Sequence, residues 1–178
     1  GSIFASPSAS QACSVVKAAV YGGGIIFTYG NYAGGVLHFG QAAERLRAEG
    51  YDVRTIEVSD DVASGPRDDT RKRRGVAGDV VVFKIAGAAA ERGHTIDEVT
   101  ELAWRANDRT RSLGVAFDGC TLPGAAEPLF HVPAGQMSVG LGVHGEPGVY
   151  EVPMGTASQI ADLLVDGVMA EALEIGTE

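Results

Sequence analysis

Residues 138–149 read SVGLGVHGEPGV, and the imidazole of His144 stands there between glycines with the carboxylate of Glu146 two residues on. A neutral imidazole nitrogen is a nucleophile that can add to a ketone carbonyl, and neighbouring groups can hold the neutral tautomer. Read as a strand, the run alternates: Met137, Val139, Leu141 and Val143 form an apolar face, and Ser138, Gly140, Gly142 and His144 form the other. That second face is nearly bare up to the ring, so another backbone or a small ligand can lie against it. The Gly-Glu-Pro-Gly that follows is turn chemistry and places the ring at a strand end beside a loop. Two readings stand on these residues alone. One is a nucleophile at a small-ligand site; the other is a polar residue at a tight turn, with Glu146 either orienting the ring or facing solvent. A Ser-His-Asp arrangement cannot be assembled, because no third partner is placed by the sequence.

A second stretch with chemical potential is YGNYAGG, residues 29–35, between a strand and a helix. Helical N–H groups and exposed backbone at such a junction can hold an anion or a hydroxyl, and the same glycines equally serve a tight turn. GGGIIF precedes a strand and lacks the Lys-Ser/Thr ending, so neither a dinucleotide fingerprint nor a Walker A loop is present. His38, His94 and His131 make no zinc-ligand spacing, and no metal site is expected. Asp60 and Asp61 are adjacent, point apart in extended backbone, and are expected in a solvated turn.

The scaffold for these residues follows from periodicity. IIFTYG and VRTIEV are strand-like, and the helix between them carries Val36, Phe39, Gly40, Ala43 and Leu46 on one side, so residues 25–58 predict a parallel βαβ unit. Residues 3–24 predict a short extended piece, a Ser-Pro turn and a helix capped by Ser8 or Ser10 and ended by Gly22 to Gly24. SDDVASGPRDDTRKRRG is a long polar loop. AGDVVVFKIAGAAAERG predicts a helix, although its valines leave a strand open, and TIDEVTELAWRANDRTRSLG predicts another, with Thr95 and Glu98 as a capping box. GVAFDG and QMSVGLGVHG are strand-like, and residues 156–173 form a final amphipathic helix. The class is α/β: a mixed sheet containing a parallel βαβ unit and flanked by helices, with an antiparallel arrangement open to the last strands.

Bulk properties exclude several function classes. The chain has 178 residues, enough for one ordinary domain, and its 45% hydrophobic and 21% charged residues argue against disorder. A net charge of -9 disfavours nucleic acid or an anionic membrane as partner. The basic run at 71–74 follows Arg-Asp-Asp and reads as a solvated loop. No apolar run approaches the roughly 18 residues of a membrane span, and no signal peptide is visible. Cys13 and Cys120 lie far apart without metal spacing, as reduced thiols of a cytoplasmic protein do.

The blocks FASPS, NYAGGVLHFGQAAERLRAEG, DDVA, RRGVAG, KIAGAAAERG, GVAFDGCTLPG and GLGVHGEPGV occur in an order that resembles the substrate-binding subunit of dihydroxyacetone kinases. The resemblance covers nearly the whole chain, and seven ordered blocks are more specific than any one of them. It implies that His144 binds dihydroxyacetone covalently as a hemiaminal, with Gly30, Asn31, Tyr32, Gly34 and Gly35 shaping the pocket. It implies a short-chain ketose as substrate, either dihydroxyacetone or a four-carbon relative such as erythrulose, and excludes glycerol, which has no carbonyl. No cofactor is expected on this chain. A helical nucleotide-binding subunit or domain with ATP or ADP and magnesium supplies the phosphoryl group in the family, and homodimerisation is implied as well.

The departures from the family pattern carry expectations of their own. Members commonly have a lysine where this chain has Gly30 and an acid-base aspartate where it has Gly35. Glycine cannot take a proton, so a general-catalytic contribution of about 10²- to 10⁴-fold is expected to be missing. The resemblance also places residues 1–178 as an internal portion of a longer subunit, without the family's upstream glycine-rich segment and C-terminal remainder. Two functions are therefore expected to compete: a ketose kinase subunit, and a non-catalytic ketose-binding paralogue acting as a sensor or coactivator. Gly35 favours the second, and the intact histidine block suits both.

Overall fold

Branched and aromatic residues make β1 (Ile25–Gly30) and β2 (Val53–Val58), which pair in parallel from Ile25↔Val53 to Gly30↔Val58. Alternation then sorts their side chains into two layers. Ile25 and Val53, with Phe27 at the margin, pack on α1 (Ala9–Ala19) and α2 (Ala33–Ala48) through Ala12, Cys13, Val16, Ala42, Ala43 and Leu46. Ile56 and Val58 pack on α3 (Gly78–Glu91) and α4 (Ile96–Arg109) through Val82, Ala86, Ala89, Val99 and Ala103. Small residues recur on the helix faces, so the helices approach the sheet closely.

The structure, a computed structural model, describes residues 4–172, and the chain forms two compact units. The layered sheet belongs to the first, Gly1–Asp60 with Arg74–Thr110. The second is Asp61–Arg73 with Arg111–Glu178, and its sheet is antiparallel: β3 (Val115–Ala116), β4 (Gln136–Val139) and β5 (Tyr150–Pro153), in that order. Its helix α5 (Ala157–Ala172) starts at Thr156, whose hydroxyl accepts from the Gln159 N–H while the Gln159 side chain accepts from the Thr156 N–H.

The α/β class, the parallel βαβ unit and the antiparallel last strands are all present; parallel and antiparallel strands lie in two sheets rather than one. Ser8 and not Ser10 caps α1, in a capping box with Gln11, and Thr95 with Glu98 caps α4 as expected. The valine run of residues 80–82 is helical, with Val82, Ala86 and Ala89 buried on one face at helical spacing. On α2 the buried stripe includes Gly35 and Ala42, whereas Val36 is exposed. The last helix matches its expected span up to Ala172; Leu173, like Ile3 at the other end, lies outside the described residues.

The polar loop after β2 is less solvated than its composition implied. It contains a short 3-10 helix at Arg67–Lys72, and Ser59, Asp60, Asp61 and Arg73 are buried. Arg73 belongs to the basic run, yet its guanidinium is sealed against Glu171 at 3.0 Å and donates to the Gly65 carbonyl. Burial of an arginine is tolerable here because a carboxylate and a carbonyl receive its protons.

Candidate functional site

The first set of expected residues lies where β1 runs into α2, at the carboxyl end of a parallel strand, a common ligand position in α/β sheets. The Asn31 N–H donates to the Val58 carbonyl at 2.9 Å, which extends the strand pairing into the loop. Tyr32 is the N-cap of α2 with extended backbone, and its side chain makes no capping bond. Gly34 is exposed on the first turn. Gly35 is buried, and a Cβ there would stand 3.3 Å from the Tyr29 ring and 3.4 Å from the Gly30 carbonyl oxygen.

Gly30 is hemmed in more closely. A Cβ on it would meet the Gly75 carbonyl at 2.8 Å, the Tyr32 ring at 3.0 Å and Oδ2 of Asp79 at 3.3 Å. Gly75 is tighter still, since its Cβ would fall 2.3 Å from the Val58 oxygen and 2.5 Å from Cα of Gly30. Two backbones touch at this point, and a Cβ on Gly75 has no room there.

Asp60 holds the second backbone in place. Its carboxylate is fully buried and accepts the Val76 and Gly78 N–H groups, each at 2.8 Å, at the start of α3. The expectation of a solvated turn at Asp60 and Asp61 is thus incorrect: these donors offset the cost of burying Asp60, while Asp61 accepts from the Ala63 N–H within its own turn. Asp79, one residue into α3, has its carboxyl pushed up to about 6, first by burial and then by the charge of Asp60. Sequence reasoning missed Asp60, Gly75 and Asp79. The available signal was the Gly75 and Gly78 spacing just ahead of a helix, which marks a close approach without saying to what.

His144 belongs to the second unit. The expected strand to His144 stops at Val139, because Gly140 turns with a φ of +75° and the chain enters a tight turn at Val143 and His144. Val143 is consequently exposed rather than in the core. Nor does the glycine face offer room for a ketose: a Cβ on Gly140 would lie 2.3 Å from Cβ of Ala63, and Gly148 stands against Oγ of Ser138 and the Val139 carbonyl. The missing side chains accommodate the unit's own backbone.

The ring itself is well placed for addition chemistry. The Glu146 carboxylate accepts the His144 backbone N–H at 3.0 Å and faces Nδ1 of the ring at 3.2 Å. A carboxylate only accepts, so Nδ1 carries the hydrogen and Nε2 the lone pair in the neutral ring. Burial acts to raise the Glu146 pKa, but hydrogen bonds from its own N–H and that of His144, together with the imidazole, hold it below the ordinary value. Both side chains are about one third exposed, at 36% and 34%. The Gly142 N–H donates to the Glu146 carbonyl and the Gly145 N–H to the Gly142 carbonyl, so the turn is closed by its own backbone. Of the two alternatives for Glu146, orientation of the ring is the one observed.

Among the described residues no three His, Cys, Asp or Glu side chains gather as metal ligands, and no helix is long and apolar enough to cross a membrane. Cys13 and Cys120 are free thiols.

A family model described as the Dak1 domain matches residues 1–178. An L-erythrulose 1-kinase of Mycolicibacterium smegmatis is 63% identical over 171 residues, which are 96% of this chain and 30% of that protein. Among solved structures, the dihydroxyacetone kinase of C. freundii in complex with AMP-PNP and Mg2+ superposes with a TM-score of 0.86 at 38% identity, over 96% of this chain and 31% of its own. A dihydroxyacetone kinase operon co-activator superposes equally well, with a TM-score of 0.86 at 30% identity over 96% of this chain and 52% of its own. The chain therefore spans about 30% of the length of the kinases it resembles and about half of the co-activator.

Proposed function

This chain belongs to the Dak1 domain family, and from that premise we propose that it binds a short-chain ketose covalently through His144 as part of a ketose kinase. The observation that carries this reading is the His144–Glu146 pair, which leaves the nucleophilic lone pair on Nε2. Nε2 adds to the carbonyl carbon, and the carbonyl π electrons move to oxygen, which takes a proton. The ring sheds its Nδ1 proton toward Glu146, so the net change is addition of N–H across C=O. An alcohol such as glycerol has no carbonyl to add to, so selection against it is chemical rather than steric.

The similarity to an L-erythrulose kinase supports a four-carbon ketose as substrate, with dihydroxyacetone as the smaller alternative. Within the first unit, the loop of Gly30, Asn31, Tyr32, Gly34 and Gly35 offers backbone donors of its own to a hydroxyl or an anion. A nucleotide-binding helical component with magnesium supplies the phosphoryl group, and the ketose-binding protein acts as a homodimer. A second reading, a non-catalytic ketose sensor, is favoured by the co-activator's shared fold and by the absence of a carboxylate at Gly35.

Native intact-mass spectrometry with erythrulose or dihydroxyacetone tests the binding claim. The expected result is one stoichiometric adduct that disappears in His144→Ala. Absence of an adduct in the folded wild-type protein overturns it. Magnesium-dependent phosphorylation with the nucleotide-binding component then separates kinase from sensor.

A further inference from the structure

Gly145 separates the two partners of the candidate pair, His144 and Glu146. Its φ is +87°, in the left-handed region, and a glycine by itself visits many backbone conformations at nearly equal cost. Two backbone bonds close the turn, but its tip, Val143 and His144, is exposed. Contacts from outside the turn therefore bear on the direction of the ring.

Such a contact is present within the second unit. The atoms nearest to a Cβ placed on Gly145 are Cδ1 and Cβ of Phe130, at 3.1 and 3.4 Å, followed by the Leu129 carbonyl oxygen at 3.6 Å. Phe130 is itself fixed. A Cβ on Gly119 would collide with the Phe130 carbonyl oxygen, and the Leu129 N–H donates to the Cys120 carbonyl at 2.8 Å. Residues 119–120 and 129–130 thus run against each other, and both are tethered to the antiparallel sheet: the first pair follows β3 and the second precedes β4.

We propose that Phe130 is a positioning residue for His144. Its ring, packed on Gly145, passes the rigidity of the sheet to the turn and keeps Nδ1 of the imidazole on Glu146. This deepens the ketose-binding reading, on which its kinetic consequence rests. Addition needs the Nε2 lone pair aimed at the carbonyl carbon, and a misplacement of about 1 Å can cost about 10²-fold in rate. An apolar ring suits the role, because it holds Gly145 by packing and has no donor that would compete with the imidazole for the Glu146 carboxylate.

Phe130→Ala removes the ring. In the whole protein that carries this domain, nitrogen-15 NMR of the histidine rings reads the tautomer, with His144 assigned by its absence from His144→Ala. The wild-type ring is expected as the Nδ1–H tautomer, and in Phe130→Ala it is expected to populate both. The rate of adduct formation with erythrulose, read by time-resolved native mass spectrometry, is expected to fall about 10²-fold. Phe130→Leu, which keeps an apolar group against Gly145, is expected to restore the tautomer and the rate. An unchanged tautomer in a folded Phe130→Ala overturns the role, whatever the rate, because the ring is then held without Phe130. Should Phe130→Ala fail to fold, Phe130→Val is read in the same way: mixed tautomers support the role, and a ring that stays Nδ1–H overturns it. A wild-type protein without an adduct refutes ketose binding, while the tautomer, which needs no ketose, still decides the role of Phe130.

Discussion

Asp79→Asn tests the electrostatics of the place where the Gly30 loop meets the start of α3. The Asp79 carboxyl titrates near 3.8 in an unfolded chain and about 6 in the folded one, raised mainly by burial and then by Asp60. Below pH 3.8 both states hold the proton and the site has no charge to bury. As the pH rises through 6 the folded state must ionise a group that its surroundings disfavour, so stability is lost across that window and stays lost above it. The full displacement corresponds to roughly 3 kcal/mol. The side chain is partly open to water, and solvent screening reduces the realised difference to about 1–2 kcal/mol. Asparagine is neutral throughout. Relative to wild type, Asp79→Asn should therefore gain about 1–2 kcal/mol between pH 4 and pH 8, read from urea unfolding at each pH. A difference between the two proteins that does not change with pH, or that changes in the opposite direction, refutes the reasoning.

Glu146→Gln retains an acceptor for Nδ1–H but cannot take its proton, so the rate of adduct formation with erythrulose should fall about 10²-fold; time-resolved native mass spectrometry reads this, and an unchanged rate removes Glu146 from the addition step. Asp60→Ala leaves the Val76 and Gly78 N–H groups without their carboxylate, and a loss of about 2–4 kcal/mol is expected in urea unfolding. A loss below about 0.5 kcal/mol would show that water replaces the carboxylate and that Asp60 does not hold the Gly75–Gly78 backbone in place.

Local pattern sufficed where the signal lies within a few residues. Alternation and helical periodicity between residues 25 and 58 specify the βαβ unit, and the pairs Ser8 with Gln11 and Thr95 with Glu98 mark helix starts by reciprocal hydrogen bonds. The contact of His144 with Glu146 was one of two alternatives the sequence offered, because the carboxylate is only two residues away. Failures began where a residue's meaning depends on a distant partner. Arg73 looked solvated until Glu171 was in place beside it, and Asp60 until two N–H groups of a later helix closed on it. Gly140 and Gly148 resembled empty space in a strand, but backbone from elsewhere in the second unit fills it.

Length also said nothing of the two units, since residues 61–73 leave the first unit's chain and join the second, a crossing that no local composition records. By itself the sequence determined the α/β class, the parallel unit, the capping box of Thr95 with Glu98 and the turn at His144, all set by neighbours along the chain. Only the tertiary structure decided that Gly30 and Gly75 touch and that Asp60 takes the donors which leave Asp79 as an acid beside the loop. The physical reason is that desolvation and hydrogen bonding act through space, and the segments that supply them are separated by tens of residues of chain.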